Sequence, residues 1–135
     1  MLIDLLVNLL KNIQLLGKSN SDSMFAPRGQ LKDINRETET LNPAFGFKRD
    51  IISLIANLTY RNHSVQEYLR TSDGLAALLD CAKIDVRNPF ILQWSIFAIR
   101  NALESNNLNQ QFVAQMSRQG IIEDDLLNRI QSNSK

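Results

Sequence analysis

Ile51-Ile52-Ser53-Leu54-Ile55-Ala56-Asn57-Leu58-Thr59-Tyr60-Arg61-Asn62 returns 44 positions later as Ser95-Ile96-Phe97-Ala98-Ile99-Arg100-Asn101-Ala102-Leu103-Glu104-Ser105-Asn106. Ile52 falls on Ile96, Ile55 on Ile99, Asn57 on Asn101 and Asn62 on Asn106. In the first copy Phe47, Ile51, Leu54, Ile55 and Leu58 recur at helical spacing, with Lys48, Arg49, Ser53, Asn57 and Arg61 off that stripe. Both copies therefore read as long helices, over residues 45–61 and 90–104.

The segments downstream of the two helices also repeat. After 45–61 come a polar break at Asn62-His63-Ser64, a short helix 65–71, an Asp73-Gly74 turn and a helix 75–84. After 90–104 come Ser105-Asn106-Asn107, a short helix 108–118, a turn at Gly120 and a helix 121–130, then a polar tail from Gln131 to Lys135. Gln66 aligns with Gln110 and Tyr68 with Phe112, and Gly74 with Gly120 at a spacing of 46. Asn88-Pro89 is expected to start the second long helix, as an N-cap followed by proline at the first helical position.

A period in the mid-forties with three helices per unit predicts an all-α fold, an α-solenoid of about two armadillo-type repeats. Each such unit leaves an apolar face that only a neighbour covers. Upstream, residues 2–16 read as a separate N-terminal helix. Leu2, Leu5, Leu6, Leu9, Leu10, Ile13 and Leu16 surround a narrow polar stripe of Asp4, Asn8, Lys11 and Asn12. A helix this apolar is expected to be buried or to meet a partner. Gly17 is expected to end it. Residues 17–43 lack a sustained period and are expected to form a polar linker or loop, leaving 44–135 as the repeat domain.

Composition removes several classes of function. Fifteen basic and fourteen acidic residues leave a net charge of +1, so no field favours nucleic acid or an anionic membrane. The apolar start is too short and too polar to span a bilayer, and it carries no basic residue before Lys11 and no small-residue cleavage site. Cys81 is the single cysteine and cannot form an internal disulfide. A cytoplasmic protein is expected. His63 and Cys81, eighteen positions apart, give too few ligands for a metal site, and His63, in the interhelical break between Asn62 and Ser64, reads as an exposed or capping residue rather than as the base of a nucleophilic site. Glu67, Asp73, Asp80, Asp124 and Asp125 read as solvated helix and turn residues, and no glycine-rich phosphate loop occurs. The chain is expected to be no enzyme, with no cofactor and no metal.

Gly46-Phe47-Lys48 with Leu54-Ile55-Ala56-Asn57-Leu58-Thr59-Tyr60-Arg61-Asn62, then Asp73-Gly74-Leu75 with Leu78-Leu79-Asp80, resemble the C-terminal armadillo domain of the ataxin-10 family. So do Asn88-Pro89-Phe90 with Gln93-Trp94-Ser95-Ile96-Phe97-Ala98-Ile99-Arg100-Asn101, and Asn109-Gln110-Gln111 through Gln119-Gly120. The resemblance covers about residues 46–127. It implies a cytoplasmic, non-enzymatic protein-binding scaffold that self-associates through this region, linked to neuronal survival, neurite growth and cytokinesis. Family members are longer, so it also implies a C-terminal fragment or a short isoform, with helix 2–16 the end of a preceding repeat.

The chain offers two sets of contact residues. Self-association is expected to use Leu2, Leu5, Leu6, Leu9, Leu10 and Ile13, making a homo-oligomer. Other proteins are expected along a groove. Asn57 and Asn101 resemble the asparagines that hold extended peptides in other armadillo proteins, where an amide both donates to and accepts from a backbone. The tryptophan that accompanies them there is absent, since Ser53 and Phe97 occupy that turn. The competing reading is that these asparagines brace adjacent repeats. Lys48, Arg49, Arg61 and Arg100 form a basic patch for an acidic partner segment, or a plain solvated face. Trp94, with Phe90 and Phe97, is either core or a partly exposed anchor. An adaptor for extended peptides, or an accessory subunit of an enzyme, are the alternative functions.

Overall fold

The computed structural model describes residues 1–132, apart from the side chains of Asp33, Arg36 and Glu37. The last three residues of the expected polar tail lie outside it. Among the described residues there are eight α-helices and no strand. Helix α1 spans Leu2–Ser19, α2 Arg36–Leu41, α3 Phe47–Thr59, α4 His63–Thr71, α5 Gly74–Cys81, α6 Ile91–Leu103, α7 Asn107–Arg118 and α8 Asp124–Gln131. The expected order of long helix, short helix, turn and helix is present twice, as α3–α4–α5 and α6–α7–α8.

The repetition extends to backbone geometry. Asn62 caps α4 by accepting from the Val65 N–H, and Asn106 caps α7 by accepting from the Asn109 N–H. Arg61 and Ser105, 44 positions apart, both turn in the left-handed region, at φ 49° and 55°. Gly46 and Phe90, again 44 apart, do the same ahead of α3 and α6, at φ 74° and 66°.

Helix α3 packs against α6, α5 against α6, and α1 against both α3 and α5. Val7 and Leu10 from α1, Ile52 and Ile55 from α3, Leu69 from α4, Leu75 and Leu78 from α5 and Ile99 from α6 are fully enclosed in one core. At roughly 25 cal/mol per Å² of apolar surface, such residues supply most of the drive to fold. Helix α1 thus folds back onto its own chain. Its far end is tied by Gln14 Nε2 donating to Asp80 Oδ2 at 2.6 Å and by Lys18 Nζ at 2.9 Å from the same oxygen. Burial works to raise the Asp80 carboxyl, but Lys18 and Gln14 together outweigh it and leave it below its ordinary range.

Three local expectations are corrected. Gly17 does not end α1, which runs to Ser19. Gly17 is buried where a Cβ would lie 2.7 Å from the Phe25 carbonyl oxygen, so glycine serves a close backbone approach. The N-cap of α6 is Phe90, not Asn88. Asn88 is buried, accepting from the Arg49 N–H at 3.1 Å and donating to Asp85 Oδ2 at 2.9 Å. Residues 17–43 are not a free linker. They contain a 3-10 turn at Leu31–Asp33 and helix α2, and buried Arg87 fastens them. Its guanidinium donates to Glu39 Oε1 at 2.8 Å and to the carbonyls of Ser23 and Ala26 at 2.9 and 2.8 Å. Separately, the Val86 N–H donates to the Arg28 carbonyl at 2.8 Å.

Candidate functional site

The joint between the two units is a buried polar network. A helix leaves its last four carbonyls without intrahelical donors, and at the end of α6 side-chain amides meet them. Gln66 Nε2 donates to Asn101 O at 2.8 Å and to Glu104 O at 3.0 Å. Asn109 Nδ2 donates to Ala102 O at 2.8 Å and to Gln66 O at 2.9 Å. Gln110 Nε2 donates to Leu103 O at 2.8 Å. Arg70 donates to Asn109 Oδ1 at 2.8 Å and to the Glu67 carboxylate. That hydrogen bond from Arg70 is the main reason the Glu67 carboxyl lies below its ordinary range. The expected groove asparagine Asn101 belongs to this network. It is buried, and its Nδ2 donates to the Ala56 carbonyl of α3 at 3.0 Å. An amide so engaged is not offered to a peptide, and Asn101 here braces α6 against α3.

The other expected groove residues are scattered. Asn57 is exposed and donates back to Ser53 O of its own helix at 2.9 Å. Lys48 is 3% exposed, with Nζ donating to the Phe25 carbonyl at 3.4 Å, so it belongs to no surface patch. Arg49 lies beside Asp50, 3.1 Å away. Arg61, just past the opposite end of α3 from Lys48, is exposed with its guanidinium 5.2 Å from the Tyr60 ring centre. Arg100 is half-buried and closes the end of α8, donating to the Ile130 and Arg129 carbonyls. The basic residues thus hold separate local partners. Of the aromatic group, Trp94 is half-buried, edge-on to Phe97 with ring centres 6.0 Å apart. Phe97 and Phe90 are exposed and not core.

Helix α1 divides the six expected self-association residues. Leu6, Leu10 and Ile13 are buried in the chain's own core and cannot meet a partner. Leu9 is half-buried. Leu2, Leu5, Leu15 and Leu16 are exposed, Leu5 at 63%. Leu2, Leu5, Leu9, Asn12 and Leu16 fall at the alternating three- and four-residue steps of a coiled-coil seam, with one polar position at Asn12. The expected apolar helix therefore has two apolar faces, one spent on the core and one left outward.

No described group of three or more His, Cys, Asp or Glu side chains is placed to hold a metal ion. His63 is exposed at the first position of α4. Cys81 is buried, and that burial pushes its thiol up to about 12. No described helix is long and apolar enough to cross a membrane.

A family model for the spinocerebellar ataxia type 10 protein domain matches residues 47–135. The chain belongs to the ataxin-10 family. Ataxin-10 of Xenopus tropicalis is 38% identical over 126 residues, which is 93% of this chain and 25% of that protein. Ataxin-10 of Homo sapiens is 36% identical over 129 residues, 96% of this chain and 26% of the relative. The ataxin-10 homolog of Dictyostelium discoideum is 35% identical over 96 residues, 71% of this chain and 15% of its own length. The chain thus spans about a quarter of the curated ataxin-10 proteins that match most of it. No solved structure matches it.

Proposed function

We propose that this chain is a non-enzymatic, cytoplasmic interaction module of the ataxin-10 family, an armadillo-type stack of two units that assembles with itself through the outward face of α1. The observation that carries this is the row of exposed leucines on a helix already anchored by its opposite face. Large apolar side chains left exposed along one face of a helix mark an interaction surface on folded proteins. The spacing of Leu2, Leu5, Leu9, Asn12 and Leu16 suits a second helix laid along it, with Asn12 restricting the register. The armadillo reading draws on the 44-residue repeat of helix order, caps and left-handed turns. The roles in neuronal survival, neurite growth and cytokinesis that the family resemblance implies would act through such contacts. Sedimentation over a wide concentration range tests the reading. A mass rising above that of one chain is expected, and a single chain at every concentration would sink it.

A further inference from the structure

The chain between α1 and α3 is held to the rest of the protein through its backbone. Arg87 Nη1 donates to the Ser23 and Ala26 carbonyls at 2.9 and 2.8 Å. Lys48 Nζ donates to the Phe25 carbonyl at 3.4 Å. The Arg28 N–H donates to Asp85 Oδ1 at 3.1 Å, and the Arg28 carbonyl accepts from the Val86 N–H at 2.8 Å. These contacts all fall on main-chain atoms of residues 23–28, groups that peptides share. The side chain enclosed there is a small one, Ala26, at 3% exposed. Residues 23–26 close as a turn, with the Ala26 N–H donating to the Ser23 carbonyl at 3.0 Å. Lys48, Asp85, Val86 and Arg87 therefore form a cradle for a backbone turn with a small residue at its end.

The cradle requires an occupant. Lys48, Asp85 and Arg87 are all buried. Asp85 has support from the protein body, accepting from the Arg87 N–H at 3.0 Å and from Asn88 Nδ2 at 2.9 Å. Lys48 has no other hydrogen bond among the described residues, and the guanidinium of Arg87 otherwise meets Glu39, which the same segment carries. A buried cation deprived of its partners is costly, so a vacated cradle calls for new carbonyl oxygens.

Little apolar burial keeps the segment in place. Met24, Leu31 and Leu41 are exposed, and Phe25 and Ile34 are half-buried. Its two ends are fixed independently. Leu6, Leu10 and Ile13 anchor α1 in the core, and Ile51, Ile52 and Ile55 anchor α3. A stretch with few buried apolar contacts, set between fixed ends, opens at lower cost than the whole fold.

We propose that residues 20–41 are a releasable strap, and that the cradle beneath it docks a partner segment presenting the same backbone turn with a small residue in place of Ala26. The strap is the internal occupant that such a partner displaces. None of these residues belongs to the outward face of α1, and the proposal does not depend on self-association.

The test uses the whole chain and, as probe, a fluorescent peptide of residues 20–30. Native-state hydrogen exchange on the parent should give the Arg28 and Val86 amides protection at least about tenfold below that of Ile55 and Ile99. Ala26→Lys, which places a long cation in the enclosed site beside Arg87, should lift the strap while α3 to α8 stay folded. The peptide should bind this variant at least about tenfold more tightly than it binds the parent, because the tethered competitor is gone. Binding should also restore protection to the Val86 amide. The same peptide carrying Ala26→Lys should bind neither protein. Equal protection of the four amides in the parent would make the strap part of one cooperative unit and overturn the proposal. So would loss of the fold in Ala26→Lys, absence of peptide binding to that variant, equal binding to variant and parent, or binding that leaves the Val86 amide unprotected.

Discussion

Asn109→Ala removes the residue on which the joint between the two units converges. The Asn109 side chain is fully buried, donates to the Gln66 and Ala102 carbonyls and accepts from Arg70. Truncation leaves two buried carbonyls without these donors, and a guanidinium that keeps only Glu67 and any water it can recruit. A buried polar group stripped of its partner costs about 1–3 kcal/mol. Taking about 1 kcal/mol for each of the three bonds, because residual water access and the retained Glu67 contact soften the loss, gives a destabilisation of about 3 kcal/mol. That is a large share of the 5–15 kcal/mol typical of a domain. At roughly 3–4 °C per kcal/mol for a chain of this size, the melting temperature should drop by about 10 °C. The assay is urea and thermal unfolding followed by far-ultraviolet circular dichroism, with Asn57→Ala as the control. Asn57 bonds only within its own exposed helix surface and should cost less than about 0.5 kcal/mol. Equal, small effects of the two substitutions would refute the idea that buried amides hold the units together.

Ser95 is wholly buried, and its hydroxyl has no hydrogen-bond partner among the described residues, so Ser95→Ala should raise the melting temperature by a few degrees; a fall in differential scanning fluorimetry would show that the hydroxyl is satisfied in solution. The Cys81 thiol should resist a disulfide reagent at pH 8 until urea unfolds the chain, since it is buried and its pKa is pushed from 9.0 to about 12. The same shift sets a pH dependence. Below pH 9 the thiol is protonated in both states and costs nothing, whereas between pH 9 and about 12 the unfolded chain alone loses the proton, so stability should decline across that window. Cys81→Ala should flatten the decline in a pH series of urea midpoints, and an unchanged slope would contradict the assignment.

Periodicity carried much of the fold. Ile51 and Ile55 of the expected stripe are buried, but Phe47 and Leu54 on it are exposed and Ile52 beside it is enclosed, so the buried face of α3 is turned from the expected one, while Asn62 and Asn106 cap the helices that come after the repeated ones. The features that escaped are long-range. The segment 17–43 looks like a linker because its anchor, Arg87, lies 48 positions from Glu39, and no local pattern links the two. Lys48 reads as a surface cation, yet its stem is enclosed and its ammonium reaches the Phe25 carbonyl. Asn57 and Asn101 occupy equivalent places in the repeat, but Asn101 reaches the Ala56 carbonyl on the neighbouring α3 while Asn57 bonds only to its own helix. A repeat position alone therefore does not decide which amide becomes a brace. The pattern marked α1 as apolar outside one narrow polar stripe, but only its packing against α3 and α5 separates Leu6, Leu10 and Ile13 from Leu2, Leu5 and Leu16.

The self-association claim is tested most directly by multi-angle light scattering on three proteins: the parent, the double variant Leu5→Glu/Leu16→Glu on the outward face, and Leu10→Ala in the core. Charges on the outward face should reduce the parent's concentration-dependent assembly to a single chain while leaving its melting temperature within about 3 °C, because both positions are exposed. Leu10→Ala should lower the melting temperature, at a cost of about 2–5 kcal/mol, without abolishing assembly at temperatures where it remains folded. An assembly that survives both glutamates, or a parent that stays a single chain at every concentration, would contradict the assignment of the outward face of α1 as the interface.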